Sequence, residues 1–170
     1  MIMNIELRIP TEADKEGLKA LCNAVDRSYL SERLPYPYTD EDADWWIRMV
    51  AENEGKSGNW RVIYADGKLV GNISIEQKSD VYRKDAEIGY CLLTEYWSRG
   101  IVTEAVKRIC RIAFGGLDIL RITGLYYEPN TGSKRVLEKA GFVHEGTLKN
   151  AVVKGGKVYN LCVMGLLKEN

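Results

Sequence analysis

Residues 96–103 read Tyr-Trp-Ser-Arg-Gly-Ile-Val-Thr, a turn whose position ahead of a helix suits anion binding. Apolar residues recur behind it at helical spacing, which predicts a helix over residues 103–114. The first N–H groups of a helix have no partner within the helix, and the helix dipole adds positive charge at that end. We therefore expect this turn to bind an anionic group of a ligand.

Two strand-like segments flank the turn and its helix. Residues 86–93 precede the turn, and residues 119–125, rich in branched side chains, follow the helix. Gly115 and Gly116 lie between the helix and the second strand, and glycine there predicts the end of the helix. A strand, a helix and a second strand form a βαβ unit, so we expect the two strands to be parallel.

The rest of the chain predicts the other elements of a mixed sheet. Strands are predicted for residues 4–9, 60–64, 68–76, 142–148 and 157–167, and helices for residues 12–26, for residues 39 or 40 to 52, and for residues 130–140. Asp66-Gly67 predicts a hairpin turn, Gly141 the end of the last helix, and Gly155-Gly156 a loop. The sum is a single α/β (α+β) domain over residues 1–170, with a mostly antiparallel sheet flanked by helices.

The composition disfavours several classes of protein. The 170 residues include 24 Lys plus Arg and 24 Asp plus Glu, so the net charge is zero, whereas nucleic-acid binders usually carry a basic excess. Neither a signal peptide nor an apolar stretch of membrane-spanning length is visible. The four cysteines form no CxxC pair, which favours buried reduced thiols over a zinc site. We expect a cytoplasmic protein, monomeric or homodimeric, with no metal and no nucleic-acid or membrane partner.

Two common phosphate-binding motifs do not explain the turn. The dinucleotide pattern GxGxxG is absent from the sequence. Gly55-Lys56-Ser57 matches the end of the Walker pattern, but Val50 stands where its first glycine belongs. That segment also follows a predicted helix instead of preceding one, so we interpret it as an ordinary loop.

Four ordered motifs together resemble the GCN5-related N-acetyltransferase (GNAT) superfamily, and more narrowly its ribosomal-protein (RimJ/RimL-like) branch. They are Glu87-Ile-Gly-Tyr, residues 96–105, Asn130-Thr-Gly-Ser133 and residues 136–142. The resemblance implies a GNAT-like sheet of about seven strands, acetyl-CoA as the cofactor and an amine as the acceptor. It also implies that the central parallel strands splay apart at a cofactor slot.

The resemblance further implies where acetyl-CoA would bind. Its pyrophosphate would lie on the N–H groups of the turn, and its pantetheine arm would pair with a strand edge as an added strand. Gly100 would let the backbone approach closely, although Val102 stands where the superfamily usually has glycine or alanine. Asn130 would cap the next helix, and the family adds a contact to the cofactor. The expected cofactor-binding residues are Cys91, Leu92, Leu93, Arg99, Gly100, Ile101, Val102, Thr103, Asn130 and Ser133.

Acetyl transfer also needs a proton donor for the departing thiol. Many superfamily members place a tyrosine acid at the position of Leu137, which cannot donate a proton. The acid is then sought in Ser133, with Tyr126 and Tyr127 as alternatives. A coenzyme thiol with a pKa of roughly 8.5 also leaves as a thiolate with little help.

Glu87 is the expected general base, because a charged side chain on a central strand is unusual. The alternative is an exposed strand residue paired with Lys84 or Arg83. Glu145 is a second candidate base, and His144, the only histidine, is expected at the surface without a catalytic role.

The loop before the second predicted helix supplies the expected acceptor wall. Tyr36 and Tyr38 alternate with prolines in a stiff aromatic segment, whereas Trp45 and Trp46 are expected in the core. The expected substrate-binding residues are Tyr36, Tyr38 and Glu87. We expect an acetyl-CoA-dependent N-acetyltransferase that acts on a protein or peptide α-amino group. A small-molecule amine acetyltransferase and a non-catalytic acetyl-CoA-binding module remain alternatives.

Overall fold

The computed structural model describes residues 2–170. Short 3-10 turns occur at Glu12–Asp14, Asp80–Tyr82 and Thr94–Tyr96. The strands are β1 (Ile5–Arg8), β2 (Gly58–Ala65), β3 (Lys68–Gln77), β4 (Asp85–Leu92), β5 (Arg121–Tyr127), β6 (Val143–Lys154) and β7 (Lys157–Leu167). The helices are α1 (Lys15–Ala24), α2 (Asp40–Asn53), α3 (Ile101–Gly116) and α4 (Thr131–Lys139).

The seven strands form one sheet in the order β1-β2-β3-β4-β5-β7-β6. Strands β4 and β5 are parallel, and all other neighbours are antiparallel. Helix α3 joins the parallel pair, because parallel strands need a crossover longer than a hairpin turn. The predicted mixed sheet, its parallel pair and the helix between those two strands are confirmed.

Helices cover both faces of the sheet. On the face that we call the α3 side, α3 and α4 enclose an apolar core that includes Ile109. On the opposite face, the α1 side, α1 and α2 enclose a second core that includes Leu21. Side chains alternate along a strand, so β4 contributes Ile88 and Leu92 to the α3 side and Cys91 to the α1 side.

The parallel pair separates at one end. Pairing between β4 and β5 stops at Ile88 and Gly124, yet β4 continues to Leu92 and β5 to Tyr127. The edge of β4 beyond Ile88 therefore faces a slot instead of a neighbouring strand. The predicted splay of the two central strands is confirmed.

Several predicted boundaries move in the structure. The first helix begins after a 3-10 turn and ends at Ala24 instead of residue 26. The predicted stop at Gly115 lies too early, because α3 runs through Gly116 and the Leu117 N–H donates to the Ala113 carbonyl (2.8 Å). Ala113 and Leu117 are both buried one turn apart, and their packing holds the glycines between them in a helical conformation.

Strand β6 is longer than predicted. It runs to Lys154, with irregular pairing between Leu148 and Val152, so much of the predicted loop is strand. Only Gly155 and Gly156 form the turn, with φ angles of 57° and 76°. Two consecutive residues with positive φ are the hallmark of a tight hairpin turn, and glycine adopts that conformation readily.

Candidate active site

The turn before α3 presents a run of unpaired backbone donors. Gly100 is the N-cap residue, with a φ of 77°, and Ser98 has a φ of 58°. Within residues 2–170, no hydrogen-bond acceptor meets the N–H groups of positions 98–103. The first helical bond joins the Glu104 N–H to the Gly100 carbonyl (3.1 Å). Free N–H groups at the start of a 16-residue helix form a donor-rich site that fits a phosphate or pyrophosphate group.

The side chains of this turn leave those donors accessible. Apart from the two adjoining residues, no part of the protein lies within 4 Å of the place where a Cβ on Gly100 would stand, so the outer side of the turn is open. Val102 packs against the core of the α3 side while its N–H stays free. The exposed Arg99 guanidinium lies 5.4 Å from the centroid of the Tyr96 ring, beside the donors.

The slot is bordered by backbone groups of β4. The Leu93 N–H donates to the Val70 carbonyl of β3 (2.9 Å), and the Leu92 carbonyl accepts a hydrogen bond from Trp97 Nε1 (3.0 Å). Successive N–H groups of a strand point to opposite neighbours. The N–H groups of Cys91 and Leu93 therefore face β3, and those of Tyr90 and Leu92 face the slot. Of the three predicted pantetheine partners, only Leu92 presents its N–H there.

Tyr90 and Ser133 meet at the α3 side of the slot. Their hydroxyl groups share a hydrogen bond of 2.5 Å, and the Ser133 N–H donates to the Asn130 side-chain oxygen (3.2 Å). Burial raises the pKa of Tyr90 to about 12, although the bond to Ser133 acts in the opposite direction. The phenol is therefore protonated at neutral pH. The predicted helix cap by Asn130 is confirmed, whereas Tyr90 was not among the predicted site residues.

The other tyrosines considered as acids lie elsewhere. Tyr126 is 6% exposed and belongs to the core of the α3 side, where burial raises its pKa to about 12. Tyr127 lies in an aromatic cluster with Tyr29 (6.1 Å between ring centroids) and Tyr159 (5.8 Å). Leu137 is 1% exposed and packs in the same core as Tyr126.

Glu87 lines a pocket of about 210 Å³. It lies directly opposite Glu76 of β3, and no ion pair involves either carboxylate within residues 2–170. The alternative pairing of Glu87 with Lys84 or Arg83 is wrong. Lys84 pairs with Asp118, and Arg83 donates to the Asp80 carbonyl (3.2 Å). The pocket residues are Arg33, Ser74, Glu76, Gln77, Lys78, Glu87, Ile88 and Gly89.

The second candidate base, Glu145, is held in an ion pair, and His144 lies at the surface as expected. Both carboxylate oxygens of Glu145 accept hydrogen bonds from the Arg121 guanidinium, which lowers the pKa of Glu145. A carboxylate held in an ion pair is a weak base, so Glu145 does not compete with Glu87. His144 is exposed on β6, and its Nε2 lies 3.4 Å from the Thr147 hydroxyl.

The aromatic residues near α2 depart from the sequence predictions. Tyr36 is 71% exposed, with the Arg27 guanidinium 4.9 Å from its ring centroid. Tyr38 is 6% exposed and packs in the core of the α1 side, whereas the prediction of an acceptor wall had it lining the site. Trp46 packs against that core as predicted, but Trp45 is 63% exposed. The buried face of helix α2 includes Ile47, and Trp45 projects from a different face of the helix.

Two further structural facts bear on the sequence predictions. All four cysteines are buried and free of disulfides. Over residues 2–170, the helices are too short or too polar for any of them to span a bilayer.

Comparison with known proteins identifies the family. The acetyltransferase (GNAT) domain profile matches residues 4–143, and the chain belongs to the GNAT acetyltransferases. Over 167 residues it is 30% identical to the uncharacterized N-acetyltransferase YoaA of Bacillus subtilis, covering 95% of this chain and 92% of YoaA. Over 123 residues it is 33% identical to the putative ribosomal N-acetyltransferase YdaF of the same species. This match covers 72% of this chain and 65% of YdaF.

A solved acetyltransferase shares the whole fold. RimL, a ribosomal L7/L12 α-N-protein acetyltransferase crystallised with coenzyme A, superposes with a TM-score of 0.83 at 20% identity. The match covers 96% of this chain and 93% of RimL, and at this identity it shows the fold alone. The resemblance to the GNAT superfamily that the four motifs carry is confirmed. The chain is an N-acetyltransferase, and its acetyl donor is acetyl-CoA.

Proposed function

We propose that this enzyme acetylates a primary α-amino group. The first candidate acceptor is the α-amino group of a protein or peptide. A small-molecule amine is the second candidate, because the pocket beside Glu87 holds only about 210 Å³. That volume lies below the roughly 300–1,000 Å³ of sites for drug-sized ligands. The observation that carries the proposal is the unpaired carboxylate of Glu87, which lines a pocket at the point where β4 and β5 separate.

The turn before α3 would hold the phosphates of acetyl-CoA. The free N–H groups of Ile101, Val102 and Thr103 lead the helix, and those of Arg99 and Gly100 extend the row. Anions bind such donors without a dedicated cationic side chain. Arg99, exposed beside the row, adds a positive charge.

The slot would take the pantetheine arm as an added strand. The N–H groups of Tyr90 and Leu92 face the gap left by β5, and the Leu92 carbonyl is held by Trp97. A backbone N–H in this row would also stabilise negative charge on the thioester oxygen during transfer.

Acetyl-CoA supplies the acetyl group and departs as a thiol, so the protein has two proton transfers to manage. The amine nitrogen bonds to the acetyl carbon while the carbon–sulfur bond breaks. Glu87 would accept a proton from the ammonium or amine, directly or through water. Because no cation pairs with Glu87 in residues 2–170, its carboxylate is available for this task.

Ser133 would return a proton to the departing sulfur. It accepts or donates a hydrogen bond with Tyr90, whose pKa of about 12 keeps the phenol protonated. When Ser133 gives its proton to the sulfur, Tyr90 can therefore supply a proton to Ser133 through their shared hydrogen bond. Glu87 and Tyr90 lie an odd number of residues apart on β4, so their side chains leave opposite faces of the strand. Base and acid then approach the reacting thioester from opposite faces.

The pKa values of amines favour an α-amino acceptor. A lysine side chain has a pKa of about 10.4 and an α-amino group one of roughly 7.7–8.0, so removing the lysine proton costs about 3 kcal/mol more at ~1.36 kcal/mol per unit. With Glu87 as the one unpaired base proposed here, the less basic amine is the better acceptor.

Mass spectrometry of a peptide panel incubated with enzyme and acetyl-CoA tests this function. We expect a mass increase of one acetyl group on peptides with a free N-terminus. Tandem fragmentation should place that group on the first residue. Thiol release that depends on an amine would separate an enzyme from a non-catalytic acetyl-CoA-binding protein, which would bind the donor without turnover.

A further inference from the structure

We propose that the acceptor carries a carboxylate beside its amine and that Arg33 binds this carboxylate. The inference rests on the proposed function, and it narrows the acceptor from any α-amine to one with a neighbouring anion. Arg33 becomes a residue that determines acceptor specificity. It lies in the loop for which the sequence predicted an acceptor wall of Tyr36 and Tyr38, but it was not among the predicted site residues.

The pocket has charges of both signs. Glu76 and Glu87 contribute two carboxylates from adjacent strands, and neither is in an ion pair. Lys78 also lines the pocket, but the Asp85 carboxylate neutralises it at 2.5 Å. Arg33 is the lining cation that takes part in no ion pair within residues 2–170. A pocket with free carboxylates and one free guanidinium complements a molecule that carries an ammonium and a carboxylate.

Arg27 fixes the loop that carries Arg33. Its guanidinium donates to the carbonyls of Leu34 (2.8 Å) and Pro35 (2.8 Å), directly after Arg33, and to the Cys22 carbonyl of α1 (2.6 Å). These bonds to charged donors tie the loop to the helix. The backbone at Arg33 is therefore held over the pocket by bonds that need no ligand.

An aromatic contact anchors the other part of the same loop. The Tyr29 ring packs edge-on against Tyr127 of β5 (6.1 Å) and Tyr159 of β7 (6.4 Å). Strand β5 borders the slot, so the loop is fastened to the strand next to the reaction site. A binding group on a loop fixed at two points loses little conformational entropy when it binds.

The pocket limits how far the two charges of the acceptor lie apart. Its volume of about 210 Å³ admits roughly one amino-acid residue, well below the size of a drug-like ligand. With the amine at Glu87, the carboxylate at Arg33 belongs to the same residue or to the group next to it. A free α-amino acid and a peptide beginning with an acidic residue share this chemistry.

The guanidinium also helps the chemistry of such an acceptor. A nearby carboxylate holds the ammonium proton more tightly, because opposite charges favour the charged form. When Arg33 binds that carboxylate, it offsets this effect and makes the amine easier to deprotonate. Arginine suits the task because its planar guanidinium binds a carboxylate through two parallel hydrogen bonds.

Two matched substrate pairs test the inference with the whole protein. The first pair is alanine and alaninamide, and the second is Asp-Ala-amide and Asn-Ala-amide, each measured by kcat/KM with saturating acetyl-CoA. We expect the carboxylate member of at least one pair to be favoured roughly ten- to hundred-fold, the range of a hydrogen bond to a charged group. The pair that responds identifies a free amino acid or an acidic peptide as the source of the carboxylate.

The variants Arg33→Gln and Arg48→Gln complete the design. Arg48 is an exposed arginine of α2 outside the pocket, so its loss should leave the preference intact, whereas Arg33→Gln should abolish it. Equal rates within both pairs for the parent enzyme, or a preference that survives Arg33→Gln, would overturn the role of Arg33. Such a result leaves the proposed function standing, whereas no acetylation of any of the four amines would contradict the function itself.

Discussion

Tyr90 of β4 and Ser133 of α4 share a hydrogen bond of 2.5 Å, although 43 positions separate them in the chain. The bond joins the strand before the slot to the helix after β5. It places a protonated phenol behind the Ser133 hydroxyl group, which we propose as the proton donor for the departing thiol. We propose that this pair takes the part of the tyrosine acid that the family resemblance led us to expect at the position of Leu137.

Removing the hydroxyl of Ser133 should slow the transfer step. We expect Ser133→Ala to lower kcat about ten-fold, which is below the usual range of about 10²–10⁴-fold for general acid catalysis, because a thiol with a pKa of roughly 8.5 leaves with little help. Tyr90→Phe should produce a smaller fall. Thiol release under saturating substrates measures both. Tyr126→Phe is the matched control, since Tyr126 is a buried tyrosine outside the Tyr90–Ser133 pair; equal losses in all three variants would argue against a proton relay.

Gly100→Glu should abolish the stabilisation of the fold by acetyl-CoA. The φ of 77° at Gly100 penalises any side chain, and a carboxylate there repels phosphate. Thermal unfolding with and without acetyl-CoA measures this, because a ligand that binds the native state raises Tm by mass action. We expect the affinity of this variant for acetyl-CoA to fall at least about ten-fold, because the new side chain strains the backbone of the anion site and brings a negative charge to it.

Gly67→Glu separates backbone strain from loss of the site. Gly67 has a φ of 80° in the hairpin turn between β2 and β3, and apart from the two adjoining residues no part of the protein lies within 4 Å of its missing Cβ, as at Gly100. Both variants should lose comparable stability, but only Gly100→Glu should lose the response to acetyl-CoA. Full binding by Gly100→Glu would refute the assignment of the phosphate site.

Leu137→Tyr should destabilise the protein instead of restoring an acid. Leu137 is 1% exposed, and its two δ-methyl groups lie 3.0 Å from where a Cβ on Gly124 would stand, so the site has no room for a phenol. Overpacking of this kind costs about 1–3 kcal/mol. We expect Tm to fall by about 2–4 °C for each kcal/mol in a protein of this size. Leu120→Tyr, at a position that is 60% exposed, is the control; an unchanged Tm for Leu137→Tyr would contradict the packing.

The sequence predicted best the features that depend on local chemistry. Of the two residues at which the second helix was predicted to begin, Thr39 is its N-cap, through a reciprocal pair of bonds with Asp42, and Asp66-Gly67 forms the predicted hairpin turn. Both depend on residues within a few positions of each other. Periodicity likewise located the helix and the strands around the slot, because the spacing of apolar residues reflects which face is buried.

The contacts between distant segments could not be predicted in this way. Glu76 lies opposite Glu87 only because of the register between β3 and β4, and Arg33 reaches the pocket only because its loop folds over the sheet. The exposure of Trp45 and the burial of Tyr38 were equally out of reach, since composition does not tell which side of a helix or loop meets the core. These are consequences of tertiary packing.

Alkaline pH should destabilise the native state through its buried acids. Burial raises the pKa of Tyr90 from 10.0 to about 12 and that of Cys91 from 9.0 to about 11, so the unfolded chain loses these protons first. The resulting stabilisation is complete below the unfolded values and is lost as pH rises from about 9 to about 12. Denaturant unfolding across this range should show a falling free energy.

The variant Tyr90→Phe measures how much of the loss in unfolding free energy at alkaline pH comes from Tyr90. It should flatten the decline in unfolding free energy between pH 10 and 12 by roughly 2–3 kcal/mol, the equivalent of two pKa units. Tyr36→Phe, at a 71% exposed position, should leave the decline unchanged. An identical pH dependence for Tyr90→Phe and the parent would contradict the burial of the phenol.

Glu87→Gln should impair catalysis most at low pH. Below neutral pH most of the acceptor amine is protonated, so transfer depends most on a base that removes this proton. We expect kcat/KM to fall by about 10²-fold or more there, the typical contribution of a general base, and less at pH 9. The exposed Glu41 of α2 provides the control variant Glu41→Gln. A pH profile identical to that of the parent would remove Glu87 from the mechanism.

The choice between α- and ε-amines tests the central claim most directly. Two peptides of one sequence are compared at pH 7 with saturating acetyl-CoA: one has a free N-terminus and an acetylated lysine, the other an acetylated N-terminus and a free lysine. The sequence should begin with aspartate, so that both proposed acceptor features are present. We expect kcat/KM to be higher for the free N-terminus by roughly 10²-fold, following the difference in amine pKa. A higher kcat/KM for the free lysine would contradict the account.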